Sequence, residues 1–314
     1  MTNITAELVS RARSSSVSRT MSPNRPRRTP AAGLLVSMRP RQWLKNLIVA
    51  TAPLAAGVLT EPEVLVRVVL AVVTFTLVSA AVYLVNDVCD AEEDRRHPLK
   101  SMRPIAAGEV SPPTALLAGG VLATVGIGAG TALDWRLGLT LAIYAALQVS
   151  YALWLKHMAV IDLAVVASGF LLRAVGGGVA TGVVLSQWFL LVAAFGSLFM
   201  VAGKRYSEFH ALGSHAGTRR SLELYSESYL RFVWGLAAGV TITAYSLWAF
   251  EISPSSGVPW QAISIAPFVL GLLRYSVDID RGLAGEPEDI VLRDRVLQSI
   301  GLIWLVTFAL GVAA

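Results

Sequence analysis

The chain has 314 residues, 54% of them hydrophobic and only 15% charged, with a mean hydropathy of +0.60. A soluble domain carries roughly 25% charged residues, so this composition excludes an ordinary soluble enzyme, a disordered chain and a coiled coil. The net charge of +5 would suggest nucleic acid in a soluble protein. Here Lys and Arg fall between long apolar blocks, where membrane topology puts them, and nucleic-acid binding is excluded. Cys89, the single cysteine, forms no internal disulfide, and the four histidines lack metal-ligand spacing.

Residues 1–36 are rich in Arg and Ser and read as a disordered cytoplasmic tail without a signal-peptide core. Nine apolar segments follow, judged against the roughly 20 residues that cross a bilayer: 46–60, 64–86, 112–131, 138–155, 158–182, 186–203, 229–251, 258–276 and 296–313. The first is short and contains Pro53. With the N-terminus inside, all Lys and Arg except Arg67, Arg136 and Arg173 fall at the cytoplasmic side, as the positive-inside rule demands. The acids agree with this. Asp87, Asp90, Glu92, Glu93, Asp94 and Glu109 occupy one cytoplasmic loop, and Asp278, Asp280, Glu286, Glu288, Asp289 and Asp294 the last. The expectation is a multi-pass plasma-membrane protein with its active site on the cytoplasmic face. Whether it associates as a homo-oligomer is left open.

The second span ends in Tyr83-Leu-Val-Asn86-Asp87-Val-Cys-Asp90-Ala-Glu-Glu-Asp94. On a continuing helix, residues 83, 86/87, 90 and 94 line one face. That face presents a phenol, an amide and three carboxylates, whose mutual repulsion a bound Mg²⁺ would relieve. A solvated acidic loop is the plainer reading of a charge run, but the ordered three- and four-residue spacing favours a metal helix. Arg95, Arg96, His97, Lys100 and Arg103 follow at once. Acid for a metal beside base for phosphate oxygens is what a diphosphate–Mg²⁺ complex needs.

Asn86-Asp87-x-x-Asp90-x-x-x-Asp94, with Lys100-x-x-Arg103-Pro and Gly108, resembles the first aspartate-rich motif of the UbiA superfamily of intramembrane prenyltransferases. Tyr151-Ala-Leu-Trp-Leu-Lys156 is similar to that family's Tyr…Lys element, and Arg39-Pro-Arg41-Gln-Trp43-Leu-Lys45-Asn46 also looks familial. The resemblance covers residues 37–314 and implies an all-α catalytic domain of nine transmembrane helices around a central cavity open to the cytoplasm. A second D-x-x-x-D motif, expected in the loop after the sixth span, is replaced by Gly203-Lys204-Arg205-Tyr206-Ser207-Glu208. A basic pair suits an anionic co-substrate. The combination resembles the branch that transfers 5-phosphoribose from phosphoribosyl diphosphate (PRPP) to a polyprenyl phosphate such as decaprenyl phosphate, in cell-wall arabinan synthesis. The alternative is ordinary prenyl transfer to an aromatic, quinone or haem precursor.

On this resemblance Asn86, Asp87, Asp90 and Asp94 hold Mg²⁺ and the diphosphate, with Asp87 either a ligand or a stabiliser of the ribosyl cation. Lys45, Tyr83, Lys100 and Arg103 surround PRPP. Lys156, Lys204, Arg205 and Tyr206 serve the lipid phosphate or the ribose 5-phosphate. Arg173, ionisable inside a span, is a functional candidate by default, with snorkelling or an ion pair to Asp162 as its structural alternatives. Gly176-Gly177-Gly178, inside a membrane helix, reads as close packing or a break rather than phosphate binding.

Overall fold

The computed structural model describes residues 28–212, 225–252, 257–285 and 287–313. Most of the Arg/Ser-rich tail, and the side chains of Glu286, Glu288 and Asp289, lie outside the described residues. The tail's last residues do not match the expected disorder. Pro30–Ser37 forms a helix (α1), with Pro at its start and the Thr29 hydroxyl accepting from the Ala32 N–H. Both are favourable helix-start chemistry.

Among the described residues, eight helices are long and apolar enough to cross a membrane. They are α3 (Pro62–Cys89), α5 (Pro112–Leu133), α6 (Trp135–Leu153), α7 (Ile161–Thr181), α8 (Gln187–Leu212), α9 (Glu227–Glu251), α10 (Trp260–Asp280) and α12 (Arg295–Ala313). The short helices α2 (Thr51–Ala55), α4 (Ala91–Arg96) and α11 (Pro287–Arg293) complete the set. Each span tracks one apolar block because a helix satisfies its backbone hydrogen bonds locally, which lipid requires. Apolar side chains such as Leu117, Val121 and Val125 on α5 remain exposed, as suits lipid-facing surface. The buried residues of α5 are all small: Ala115, Gly119, Gly126 and Gly130. They let α5 lie close along α3, since helices in lipid associate by close packing rather than by escaping water.

The expected ninth span, 46–60, is not an α-helix of span length among the described residues. Pro40–Ala50 winds as a 3-10 segment and passes into the five-residue α2. The 3-10 segment is anchored sideways, against α7 and α3. At Gly177 on α7 a Cβ would lie 1.8 Å from the Val49 carbonyl oxygen, so only glycine admits the segment there. Gly176 likewise receives the Phe75 ring and Gly178 the Leu185 side chain, which makes the glycine triplet a packing surface. Val49, Phe75, Leu137, Leu141 and Tyr144 form the core at this crossing. A second core, around Phe199, Tyr206, Leu230 and Ile279, joins α8, α9 and α10.

Candidate active site

Tyr83, Asn86 and Asp87 lie in the last turns of α3, and Asp94 lies on α4. Asp90 sits at the junction, where its N–H reaches the Asn86 carbonyl at 2.9 Å and its own carbonyl accepts from Asp94 at 2.8 Å. The helical rise therefore runs through the break, and the expected acidic face forms. Carboxylates so spaced repel one another; here each is matched by a cation. Arg39 Nη2 lies 2.5 Å from Asp87 Oδ1, and Arg103 Nη1 lies 2.6 Å from Asp94 Oδ2 and 3.5 Å from Asp87. Lys156 Nζ contacts Asp90 Oδ1, while the Asn86 amide donates to Asp90 Oδ2 at 2.9 Å. Asp87 and Asp94 are each 3% exposed; the Asp90 and Lys156 side chains are about one-fifth exposed (20% and 19%). The accessible pair is thus Asp90 with Lys156.

Arg39 belongs to the site although the sequence reading gave it no role. Its guanidinium also covers the Tyr83 ring, 4.9 Å from the centroid. Its backbone is left-handed, φ 54°, immediately before Pro40. A residue preceding proline normally sits in extended space, and such strain costs about 1–3 kcal/mol. The Arg39–Asp87 pair lies where that strain is held. The Arg39-Pro pair was visible in the sequence, but the positive φ was not. Lys45 stands on the same 3-10 segment, one residue before Asn46, and Lys100 on the short 3-10 turn Lys100–Met102 that leads to Arg103. That turn is fastened by the His97 Nδ1, which accepts the N–H groups of Leu99 and Lys100 at 3.2 Å each. Cys89 beside Asp90 is an exposed free thiol.

Lys204, Arg205 and Tyr206 are not in a loop. They lie within α8, which continues to Leu212, because nothing between residues 203 and 212 breaks a helix. Arg205 is buried at 5% exposure and committed internally: to Glu208 at 2.9 Å, to the Tyr151 hydroxyl at 3.1 Å and to Asp162 at 3.5 Å. Tyr206 is fully buried, donating to Glu227 at 3.0 Å and accepting from Arg231 at 2.7 Å. Neither residue contacts the carboxylate cluster.

Arg173 forms no ion pair with Asp162 and does not snorkel. Buried on α7, it donates to Asn46 Oδ1 at 2.7 Å, the Gly169 carbonyl at 2.7 Å and the Tyr144 hydroxyl at 2.9 Å. The Asn46 amide donates onward to Thr76 at 3.0 Å and Ser79 at 3.3 Å on α3. Asp162 is taken instead by Arg205 and by the Tyr225 hydroxyl. Burial pushes the Tyr225 phenol well above its ordinary value, and its hydrogen bond to Asp162 adds to the shift.

Among the described residues no three His, Cys, Asp or Glu side chains converge as a metal cage. That does not disqualify Mg²⁺, which usually takes one or two protein carboxylates and completes its shell with water and substrate phosphates. Asn86 and Asp90 offer adjacent hard oxygens at the accessible edge of the cluster, so the donor chemistry fits. Chemically, three carboxylates paired with three cations could exchange partners: a bound polyanion would take Arg39, Arg103 and Lys156, and the freed oxygens of Asp90 and its neighbours could hold a divalent metal.

Among the described residues the protein is all-helical, with several helices able to cross a membrane and paired carboxylates clustered at the end of one of them: the class is a multi-pass helical membrane protein with a charged site. Residues 47–287 match the model of the UbiA prenyltransferase family, and the chain belongs to that family. A Mycobacterium tuberculosis (strain CDC 1551 / Oshkosh) protein named decaprenyl-phosphate phosphoribosyltransferase is 52% identical over 287 residues, covering 90% of this chain and 95% of its own. A Corynebacterium glutamicum protein of the same name is 45% identical over 302 residues, covering 92% and 90%. Among solved structures, a UbiA homologue from Archaeoglobus fulgidus bound to GPP and Mg²⁺ superposes with a TM-score of 0.69 at 18% identity, covering 90% of this chain and 98% of that one.

Proposed function

We propose that this protein transfers the 5-phosphoribosyl group of PRPP to decaprenyl phosphate, or a near homologue, releasing diphosphate and supplying a lipid-linked precursor of cell-wall arabinan. The observation that carries this reading is the 52% identity, over nine-tenths of the chain, to a protein named for that transfer. The cluster chemistry supports it. The bond from ribose C1 to the diphosphate oxygen breaks, and a bond from C1 to an oxygen of the acceptor phosphate forms. That phosphate is already anionic at neutral pH, so no general base is required, and catalysis reduces to positioning and charge stabilisation.

Asn86 and Asp90 would hold Mg²⁺, with Asp87 and Asp94 beside them. When bound, the ion neutralises the leaving diphosphate. The chain's own residues do the rest. Arg39 and Arg103, held by buried Asp87 and Asp94, present guanidinium edges at the diphosphate end, with Lys45, Tyr83 and Lys100 around PRPP. Lys156 exchanges Asp90 for a phosphate oxygen, and Lys204 serves the lipid phosphate or the ribose 5-phosphate. Arg173 keeps the 3-10 segment, and so Arg39 and Lys45, in register. The positive-inside charge distribution supports a plasma-membrane enzyme with its N-terminus and active site at the cytoplasmic face. A polyprenyl tail needs a lateral opening to lipid.

The test is incubation of purified protein with Mg²⁺, decaprenyl phosphate and ribose-labelled PRPP, followed by extraction of the lipid. Magnesium-dependent label in the lipid phase is the expected result. No label, together with turnover of a prenyl diphosphate and an aromatic acceptor, would return the protein to ordinary prenyl transfer.

A further inference from the structure

Lys156 reaches Asp90 from the short connection between α6 and α7, residues 154–160, whose backbone is irregular. Leu155–His157 is a 3-10 turn, and Val160 has φ 68°. A positive φ in a β-branched residue is a true outlier, tolerated only where the surroundings over-determine it. The connection is held from outside at three points. The Tyr225 hydroxyl accepts the Val160 N–H at 2.6 Å and donates to Asp162 Oδ1. Arg205, from α8, donates to the Tyr151 hydroxyl in the last turns of α6. The same guanidinium faces Asp162, in the first turn of α7, at 3.5 Å. One buried arginine therefore grips both ends of the segment that carries Lys156, and one phenol pins its strained residue.

Asp162 and Arg205 are 0% and 5% exposed, and Tyr225 is 5% exposed; none of them touches the carboxylate cluster. Asp162 Oδ2 and Arg205 Nε face each other yet make no hydrogen bond. A buried ion pair of imperfect geometry is a poor way to gain stability, because desolvation rivals its attraction. Its value here is geometric.

We propose that Arg205, Asp162 and Tyr225 are positioning residues that fix the 154–160 connection so that the Lys156 ammonium meets Asp90. This assigns the buried half of the Lys204-Arg205 pair to Lys156 rather than to a substrate phosphate. It rests on the reading of Asp90 and Lys156 as part of the active site.

The experiment is acylation of the full-length protein in detergent with an N-hydroxysuccinimide ester, following Lys156 and Lys45 separately by peptide mass spectrometry. Tyr225→Phe and Arg205→Lys are compared with the unmodified sequence, alongside thermal unfolding and phosphoribosyl transfer. Freed from its brace, Lys156 is expected to acylate severalfold faster in both variants while Lys45 keeps its rate. The unfolding midpoint of Tyr225→Phe should fall by several degrees, because Asp162 Oδ1 and the Val160 N–H lose their partner, while the transition stays cooperative. Turnover should drop about 10- to 100-fold, the scale of a misplacement near 1 Å. An unchanged Lys156 rate in both variants overturns the proposal, and so does faster acylation with undiminished turnover. If the parent protein transfers no phosphoribose, the acylation comparison still decides the positioning claim, and the failure belongs to the assigned reaction.

Discussion

Two groups of charge meet the 3-10 segment Pro40–Ala50, one through Arg39 at its start and one through Asn46 within it, and their charges are satisfied in opposite ways. Around α4 the carboxylates of Asp87, Asp90 and Asp94 are matched by Arg39, Lys156 and Arg103. Around α7 the Arg173 guanidinium is met by an amide oxygen, a backbone carbonyl and a hydroxyl, with the Tyr144 ring 4.8 Å below it, and by no carboxylate among the described residues. Paired ions can trade partners for a charged substrate at little net cost in charge. A cation caged by neutral acceptors has no such exchange to make, and truncating it strands the acceptors. The first arrangement suits chemistry; the second suits a rivet between α7, α3 and the 3-10 segment.

The sharpest way to separate the two is Asp90→Ala. It removes the accessible carboxylate and leaves the helix intact, so turnover should fall by about 10²–10³-fold or more with little change in detergent melting. Near-parental activity would remove the argument for the acidic face. Arg173→Met should do the reverse. Stranding Asn46 Oδ1 and the buried Tyr144 hydroxyl, at 1–3 kcal/mol per buried group, is partly offset by no longer burying an unpaired charge. The net loss should be about 2–4 kcal/mol. Chemical denaturation checks this; full stability with abolished turnover would move Arg173 into the site.

Gly177→Ala tests the same rivet from the other side. A methyl 1.8 Å from the Val49 carbonyl forces the 3-10 segment outward, at about 1–3 kcal/mol, more than alanine's helix preference returns. Turnover should fall with it, since Arg39 and Lys45 ride on that segment. The smallest effect should come from Asp294, remote from both groups. Its carboxylate accepts from Arg274 at 2.7 Å and from the N–H groups of Val296 and Leu297 at the start of α12. The Arg274 hydrogen bond, then the backbone bonds, hold its pKa below the usual carboxylate range. A depressed folded-state value contributes stability above the ordinary carboxylate pKa and loses it as pH falls through the folded value. Asp294→Asn should therefore flatten the acid limb of a stability–pH curve slightly and leave neutral-pH turnover alone; an unchanged acid limb would show that the pairing contributes nothing.

Much of this molecule is legible in order along the chain. The eight spanning helices follow from apolar run length, and the Asn86–Asp90–Asp94 face from spacing of three and four residues, because helical hydrogen bonds are local. The run at 46–60 behaves differently, winding as a 3-10 segment into the short α2. Hydropathy counts apolar side chains but not the wall they meet, and here the wall is the glycine surface of α7. That Arg205 turns inward to Asp162 and Tyr151 is not legible, because basic character does not say which way a side chain faces.

The sequence by itself determined that the protein is an all-α membrane protein, that it carries an acidic helix end followed by basic residues, and which family it resembles. Only the tertiary structure decided which cation meets which carboxylate, since Arg39 and Asp87 are separated by 48 residues and Lys156 and Asp90 by 66. It also decided that Arg205 turns inward and that Arg173 is caged by neutral groups. Charge is a property of a residue, readable one position at a time. Its partner is a property of the packing, which brings distant positions together only when the helices have chosen their neighbours.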